Sequence, residues 1–183
     1  GAISKEVADS LGYRDRKGAF VGGVFDQSPA ERGGVRPGDI ILQIDNEPVD
    51  DWNELLNVVA NLAPGRSTTF RVWRDGRTTD LRIRISRRSD EAEASQSWPG
   101  FTVLPLTEEI RDGLTLRNEP GEVVVSDVDA GGPAAAAGIR RGDIIRRVGD
   151  RTVDNLEEFY TLINGETDDE LVFRIARQGR EFL

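Results

Sequence analysis

One stretch occurs twice in this chain, and the duplication limits the fold more than any other feature. Ala30 to Val49 reads AERGGVRPGDIILQIDNEPV and Ala134 to Val153 reads AAAAGIRRGDIIRRVGDRTV, so Gly38-Asp39 and Gly142-Asp143 correspond 104 residues apart. Both copies run in the same order: a small-residue helical turn, a Gly, a β-branched residue, a Gly-Asp turn, a run of Ile and Val, and another turn. Solenoid repeats recur at roughly 20 to 50 residues, so this wider spacing marks a duplicated domain. The 183 residues therefore divide into two units of about ninety, each large enough to bury its own core.

The chain reads as units that open alike. Ile3, Val7 and Leu11 lie four apart, as do Leu106, Ile110 and Leu114, so a short amphipathic helix begins each unit, the first with Ser4 as N-cap. Gly18 to Phe25 and Gly121 to Val128 are β-branched or aromatic runs between turn residues and predict a strand apiece, with the offset shifting from 103 to 104 inside it, so that the second copy carries one extra residue there. Ser28-Pro29 and Gly132-Pro133 then start a single helical turn that closes at Gly34 and Gly138. At the Gly-Asp pairs Gly permits a tight turn and Asp accepts backbone N–H bonds; Ile40 to Ile44 and Ile144 to Val148 follow as central strands. Asp50-Asp51 and Asp154-Asn155 cap a second helix, in which Trp52, Leu55, Leu56 and Val59 correspond to Leu156, Phe159, Tyr160 and Ile163. A terminal hairpin turns at Asp75-Gly76 in the first unit and at Gln178-Gly179 in the second. Arg87 to Ser97 holds no apolar residue larger than Ala and reads as a solvated linker.

Composition excludes several function classes. A net charge of −9 argues against a nucleic-acid partner, which requires a basic face. No apolar run approaches the roughly 18 residues of a membrane span, and any anchor or export signal is expected outside this stretch. With no His and no Cys, a Ser-His-Asp or Cys-His site cannot be assembled. Lys5 and Lys17, the only lysines, lie in exposed-looking segments and make a poor Ser-Lys site. Acidic pairs read as helix caps and turns without the spacing of a calcium loop, so no catalytic residue, metal or cofactor is expected. Arg141-Gly142-Asp143 is explained by the repeated turn.

The strand–helix–strand–strand–helix–hairpin unit with GxxxGD ahead of a central strand resembles a PDZ domain. GAFVGGVFDQSPAERGGVRPGDIILQIDNEPV is similar to the first PDZ domain of bacterial HtrA (Do-like, DegP/DegQ-type) periplasmic serine proteases, and the second copy is similar to their second. The resemblance implies a mixed α+β fold of two PDZ-like domains, each a small, partly open antiparallel β-barrel or sandwich with two helices. The first spans residues 1–86, the linker 87–97 and the second 98–183.

It also implies a site. A peptide adds to a strand edge, its carboxylate rests on backbone N–H groups of a Gly-containing loop, and its last side chain enters a pocket beside a helix. In the second unit Trp98-Pro99-Gly100-Phe101 stands where the family carries that loop, although Pro99 has no N–H to donate. The expected peptide-binding residues are Pro99, Gly100, Phe101, Thr102 and Val103 with Leu156, Tyr160 and Ile163, which share one helix face. For those three helix residues a purely structural core role stays open; Phe159 and Leu162 read as core. In the first unit the loop and most of the first strand are expected to precede Ile3, leaving Phe20, Trp52, Leu56 and Val59 as groove residues and an edge open to a neighbouring strand. The apolar end Glu181-Phe182-Leu183 is itself a segment such grooves bind.

The resemblance thus implies a non-catalytic recognition and assembly module of an envelope quality-control endopeptidase. Its partners would be substrate peptides or protein C-termini, the protease domain of the same chain, and further copies in an extracytoplasmic homo-oligomer. The alternatives are a PDZ scaffold of a non-protease protein and the regulatory PDZ pair of an intramembrane protease.

Overall fold

The computed structural model describes residues 3–86, 97–114, 121–165, 171–178 and 180–183. The first unit contains α1 (Lys5–Ser10), β1 (Ala19–Phe20), β2 (Val24–Phe25), α2 (Pro29–Arg32), β3 (Ile40–Ile44), β4 (Glu47–Pro48), α3 (Trp52–Ala60), β5 (Ser67–Arg74) and β6 (Arg77–Arg84). The second contains β7 (Ser97–Trp98), β8 (Phe101–Pro105), α4 (Glu108–Gly113), β9 (Val123–Val128), α5 (Pro133–Ala136), β10 (Ile144–Val148), β11 (Arg151–Thr152), α6 (Leu156–Gly165), β12 (Phe173–Arg177) and β13 (Arg180–Phe182).

Every strand pair is antiparallel. One sheet runs β1-β3-β5-β6 with β4 on β3, a second runs β13-β12-β10-β9-β8 with β11 on β10, both open, and β2 and β7 form a two-stranded third. The repeat is visible in register: Phe20 faces Ile40 and Ala19 faces Ile41 as Val124 faces Ile144 and Val123 faces Ile145. The extra residue of the second copy is therefore Glu122, just ahead of its strand.

Local chemistry sets the helix starts. Ser4 Oγ accepts the Val7 N–H, Ser28 Oγ the Glu31 N–H, and Asp51 Oδ1 the Glu54 N–H, while Glu54 reaches back to the Asp50 N–H at 2.8 Å. Asn155 and Glu158 repeat that reciprocal arrangement at the head of α6. The Asp75-Gly76 turn takes φ of 51° and 74°, positive at both residues as a two-residue hairpin requires.

One predicted strand differs. Gly18 to Phe25 is two short strands, β1 and β2, whereas its counterpart β9 is continuous. The pairing on that edge differs: β9 pairs along its far side with β8 from Phe101↔Val128 to Pro105↔Val123, while among the described residues β2 has Trp98↔Val24 and Ser97↔Phe25 there. Residues 87–96 of the expected linker lie outside the described residues, and Ser97 belongs to β7.

Two cores result. Val21, Ile41, Leu55, Val58, Phe70, Val72 and Ile83 are among the buried residues of the first unit's core. The second unit's core joins Phe101, Val125, Ile145, Phe159 and Ile163 to Ile3, Val7 and Leu11 of α1 and its flanks.

Candidate functional site

In the first unit the side chains of α3 face β2 across a cleft of about 440 Å³. Trp52, Leu55, Leu56 and Val59 line one wall, Val21, Val24 and Phe25 the other, and Ile41, Phe70 and Ile83 the floor. Trp52 is 47% exposed, Leu56 52% and Phe25 59%. Such clustering of large apolar side chains at a concave surface marks an interaction site rather than ordinary surface. Phe20, the remaining expected residue, points to the opposite face, where its ring meets Tyr160 edge-on at 5.7 Å.

The duplication shows what shape the cleft accepts. Phe101 of β8 lies against Phe159 at 6.0 Å and Phe173 at 5.4 Å between ring centroids. The first-unit equivalents of those two residues, Leu55 and Phe70, line the open cleft. In the second unit a strand fills this volume; in the first, among the described residues, β7 pairs with β2 at its rim. A hollow of about 540 Å³ adjoins the cleft, sharing Pro29, Ile85 and Ser86 with it and lined also by Arg32, Arg82 and Arg84.

The expected second-unit residues are brought together and covered. Phe101, Val103, Leu156, Tyr160 and Ile163 are all buried in one cluster, as are Phe159 and Leu162. Pro99 and Gly100 are buried too, whereas Thr102 is exposed and shares a 3.0 Å hydrogen bond with Ser126. What covers them is α1, which packs on both β8 and α6. Two polar contacts tie this seam: the Leu156 N–H donates to Ser10 Oγ at 3.3 Å, and Asn164 Nδ2 donates to the Pro37 carbonyl at 2.9 Å. Close approach at Gly38, φ 92°, completes it, since a Cβ there would stand 2.7 Å from the Tyr160 ring. Burial pushes the Tyr160 hydroxyl well above its ordinary value, and that hydroxyl has no hydrogen-bond partner among the described residues.

Sequence reasoning missed the partner of each repeated Asp. Asp39 takes a two-pronged ion pair from Arg74 at 2.6 and 2.7 Å, and its Oδ2 also accepts the Arg36 N–H. Arg177 does the same for Asp143, whose Oδ2 accepts the Arg140 N–H. Each Arg also donates to a carbonyl of the preceding turn, Gly34 or Gly138. These clamps fix the Gly-Asp turn against the hairpin. The available signal was an Arg just before each hairpin turn, 103 residues apart. At the chain end, Phe182 lies in β13 under the Arg177 guanidinium and Leu183 is exposed.

Models of the PDZ domain match residues 5–85 and 124–177. The chain is 33% identical over 191 aligned residues to a probable periplasmic serine endoprotease DegP-like of Ectopseudomonas mendocina (strain ymp), covering 97% of this chain and 40% of that protein. A protein of the same name from Brucella suis biovar 1 (strain 1330) is 36% identical, over 82% of this chain and 30% of its own length. The chain thus spans well under half of these relatives. A solved "HtrA-type protease AlgW with decapeptide" shares 38% identity over 48% of this chain and 27% of its own, with a TM-score of 0.44. The chain belongs to the PDZ-domain family and carries two such domains in tandem.

Proposed function

We propose that this chain is the peptide-recognition and regulatory region of a longer HtrA-type serine endoprotease of the bacterial periplasm, and that the first-unit cleft takes up an extended apolar segment of a polypeptide substrate. The observation that carries this reading is the apolar cleft along α3, around which Trp52, Leu56 and Phe25 stand exposed. An extended segment supplies backbone groups to a strand edge and alternate side chains to a pocket, which gives affinity with broad sequence tolerance. Such tolerance suits an enzyme that must handle many unfolded envelope proteins. Arg32, Arg82 and Arg84 line the adjoining hollow, so a free carboxylate or an acidic flank on the ligand finds cations there. Catalysis belongs to a protease domain elsewhere in the parent, because this chain has no His with which to activate a serine. Support for that parent, and for the periplasm, comes from the DegP-like relatives along nearly the whole chain. Among the three readings weighed from sequence, those relatives favour the protease over the scaffold and the intramembrane enzyme.

Fluorescence polarisation with a labelled apolar peptide bearing a free C-terminal carboxylate tests the reading. Binding in the micromolar range is expected, weakened at least about tenfold by Leu56→Asp, which sets a charge in the apolar wall. Equal binding by the Leu56→Asp chain would reject the cleft as the site.

A further inference from the structure

In the second unit, the surface between β8 and α6 is filled by a helix of the first. The apolar face of α1 and its flanks, Ile3, Val7 and Leu11, spaced i, i+4 and i+8, is buried in the same cluster as Phe101, Val103, Leu156, Tyr160 and Ile163. That spacing is how an amphipathic helix occupies a hydrophobic groove. Ser10 receives the first N–H of α6 and Asn164 near its other end binds the Pro37 carbonyl, so the seam is tied at both ends.

The seam is not sealed like an ordinary core. The Tyr160 hydroxyl is buried in it with no hydrogen-bond partner among the described residues. A small hollow of about 30 Å³ lies beside it, lined by Leu11, Gly38, Trp73, Tyr160 and Asn164. The two polar ties sit at half-buried Ser10 and Asn164, where solvent competes for them.

We propose that α1 is an internal occupant of the second unit's groove, so that this groove receives an apolar peptide only when α1 leaves it. The inference rests on the reading of the chain as a peptide-recognition module. Its consequence is coupling: a peptide that takes the second groove must separate the two units, and a contact that holds α1 on the first unit alone opens the groove. The apparent affinity of the second groove falls by the fraction of molecules in which it is open.

The test is a titration of the full 183-residue chain, followed by amide NMR, with a synthetic extended peptide ending in a free-carboxylate phenylalanine. Two variants release α1: Val7→Asp, which puts a charge into the shared cluster, and Ser10→Arg with Asn164→Arg, which overfills the rim while leaving both cores their residues. Hydrogen exchange checks release, as faster exchange at the Leu156 amide with Ile144 and Val148 still protected. In the unaltered chain the peptide is expected to shift first-unit amides, from Val21 to Phe25 and Trp52 to Val59. In a released variant, amides from Phe101 to Leu104 and Leu156 to Ile163 shift as well, with affinity there at least about tenfold tighter than in the unaltered chain. The proposal is overturned if an exchange-verified released groove ignores the peptide, or if the unaltered chain binds there equally well. It is also overturned if neither variant speeds Leu156 exchange, since α1 is then a permanent part of the core. Silence at the first-unit cleft would defeat the proposed function there while leaving the capped groove standing or falling on its own amides.

Discussion

At the scale of single residues, the two Asp–Arg clamps do the same work at equivalent places. Asp39 is fully buried and its carboxylate is met by both the Arg74 guanidinium and the Arg36 N–H. Hydrogen bonding to Asp39 raises Arg74 above even its ordinary value, so the guanidinium stays charged. Removing one partner leaves a buried charge alone, and Arg74→Ala is expected to cost about 3–5 kcal/mol by chemical denaturation. Exposed Arg77→Ala serves as the control and should stay within about 0.5 kcal/mol. The tyrosines set the alkaline limit. Burial pushes the Tyr13 hydroxyl from 10.0 up to about 12 and moves Tyr160 in the same direction. The folded chain thus holds these protons more tightly than the unfolded chain. The tyrosine contribution is fully present below pH 10 and is lost as pH rises from about 10 through 12. Tyr160→Phe should reduce that alkaline loss and, by deleting an unpartnered buried hydroxyl, should not destabilise at neutral pH.

At the scale of elements, α3 is the wall on which the proposed function depends, and its start is a capping arrangement. Asp51→Ala removes the acceptor of the Glu54 N–H and should lower stability by about 1 kcal/mol. Because Trp52 and Leu56 ride on that first turn, the same variant should also weaken peptide binding in the polarisation assay. The caps, central strands and hairpin turns were legible in the sequence because each is decided within a few residues: Ser or Asp before an apolar period, Asp-Gly between alternating runs. Ser28, Asp51 and Asn155 all stand where that reading puts them. What was not legible is long-range. The spacing of Ile3, Val7 and Leu11 says that one face of α1 is covered, yet nothing local says that the cover comes from β8 and α6, a hundred residues on. The same limit hid Arg74 from Asp39, 35 residues apart. For the site, the helical spacing that groups Trp52, Leu56 and Val59 on one face is visible in the sequence and they line one cleft, whereas the placement of Phe20 against Tyr160 depends on how its strand is phased by β3 and on a residue far away in the chain.

At the scale of the whole molecule, α1 carries part of the first unit into the core of the second. Chains whose domains meet only through a linker unfold domain by domain, whereas a shared core couples them. Calorimetry of the unaltered chain is expected to show one transition, and Val7→Asp should divide it in two; two transitions in the unaltered chain would mean that the shared cluster contributes little.

The proposed function places an extended apolar segment of a polypeptide in the first-unit cleft along α3. The most direct measurement is of intermolecular nuclear Overhauser contacts between an isotope-labelled chain and an unlabelled peptide carrying one phenylalanine. The account predicts contacts from that ring to Val24, Leu55 and Phe70, the residues around the place that Phe101 fills in the other unit. A bound peptide whose ring instead contacts residues outside the cleft, with Leu55 and Phe70 untouched, would contradict it.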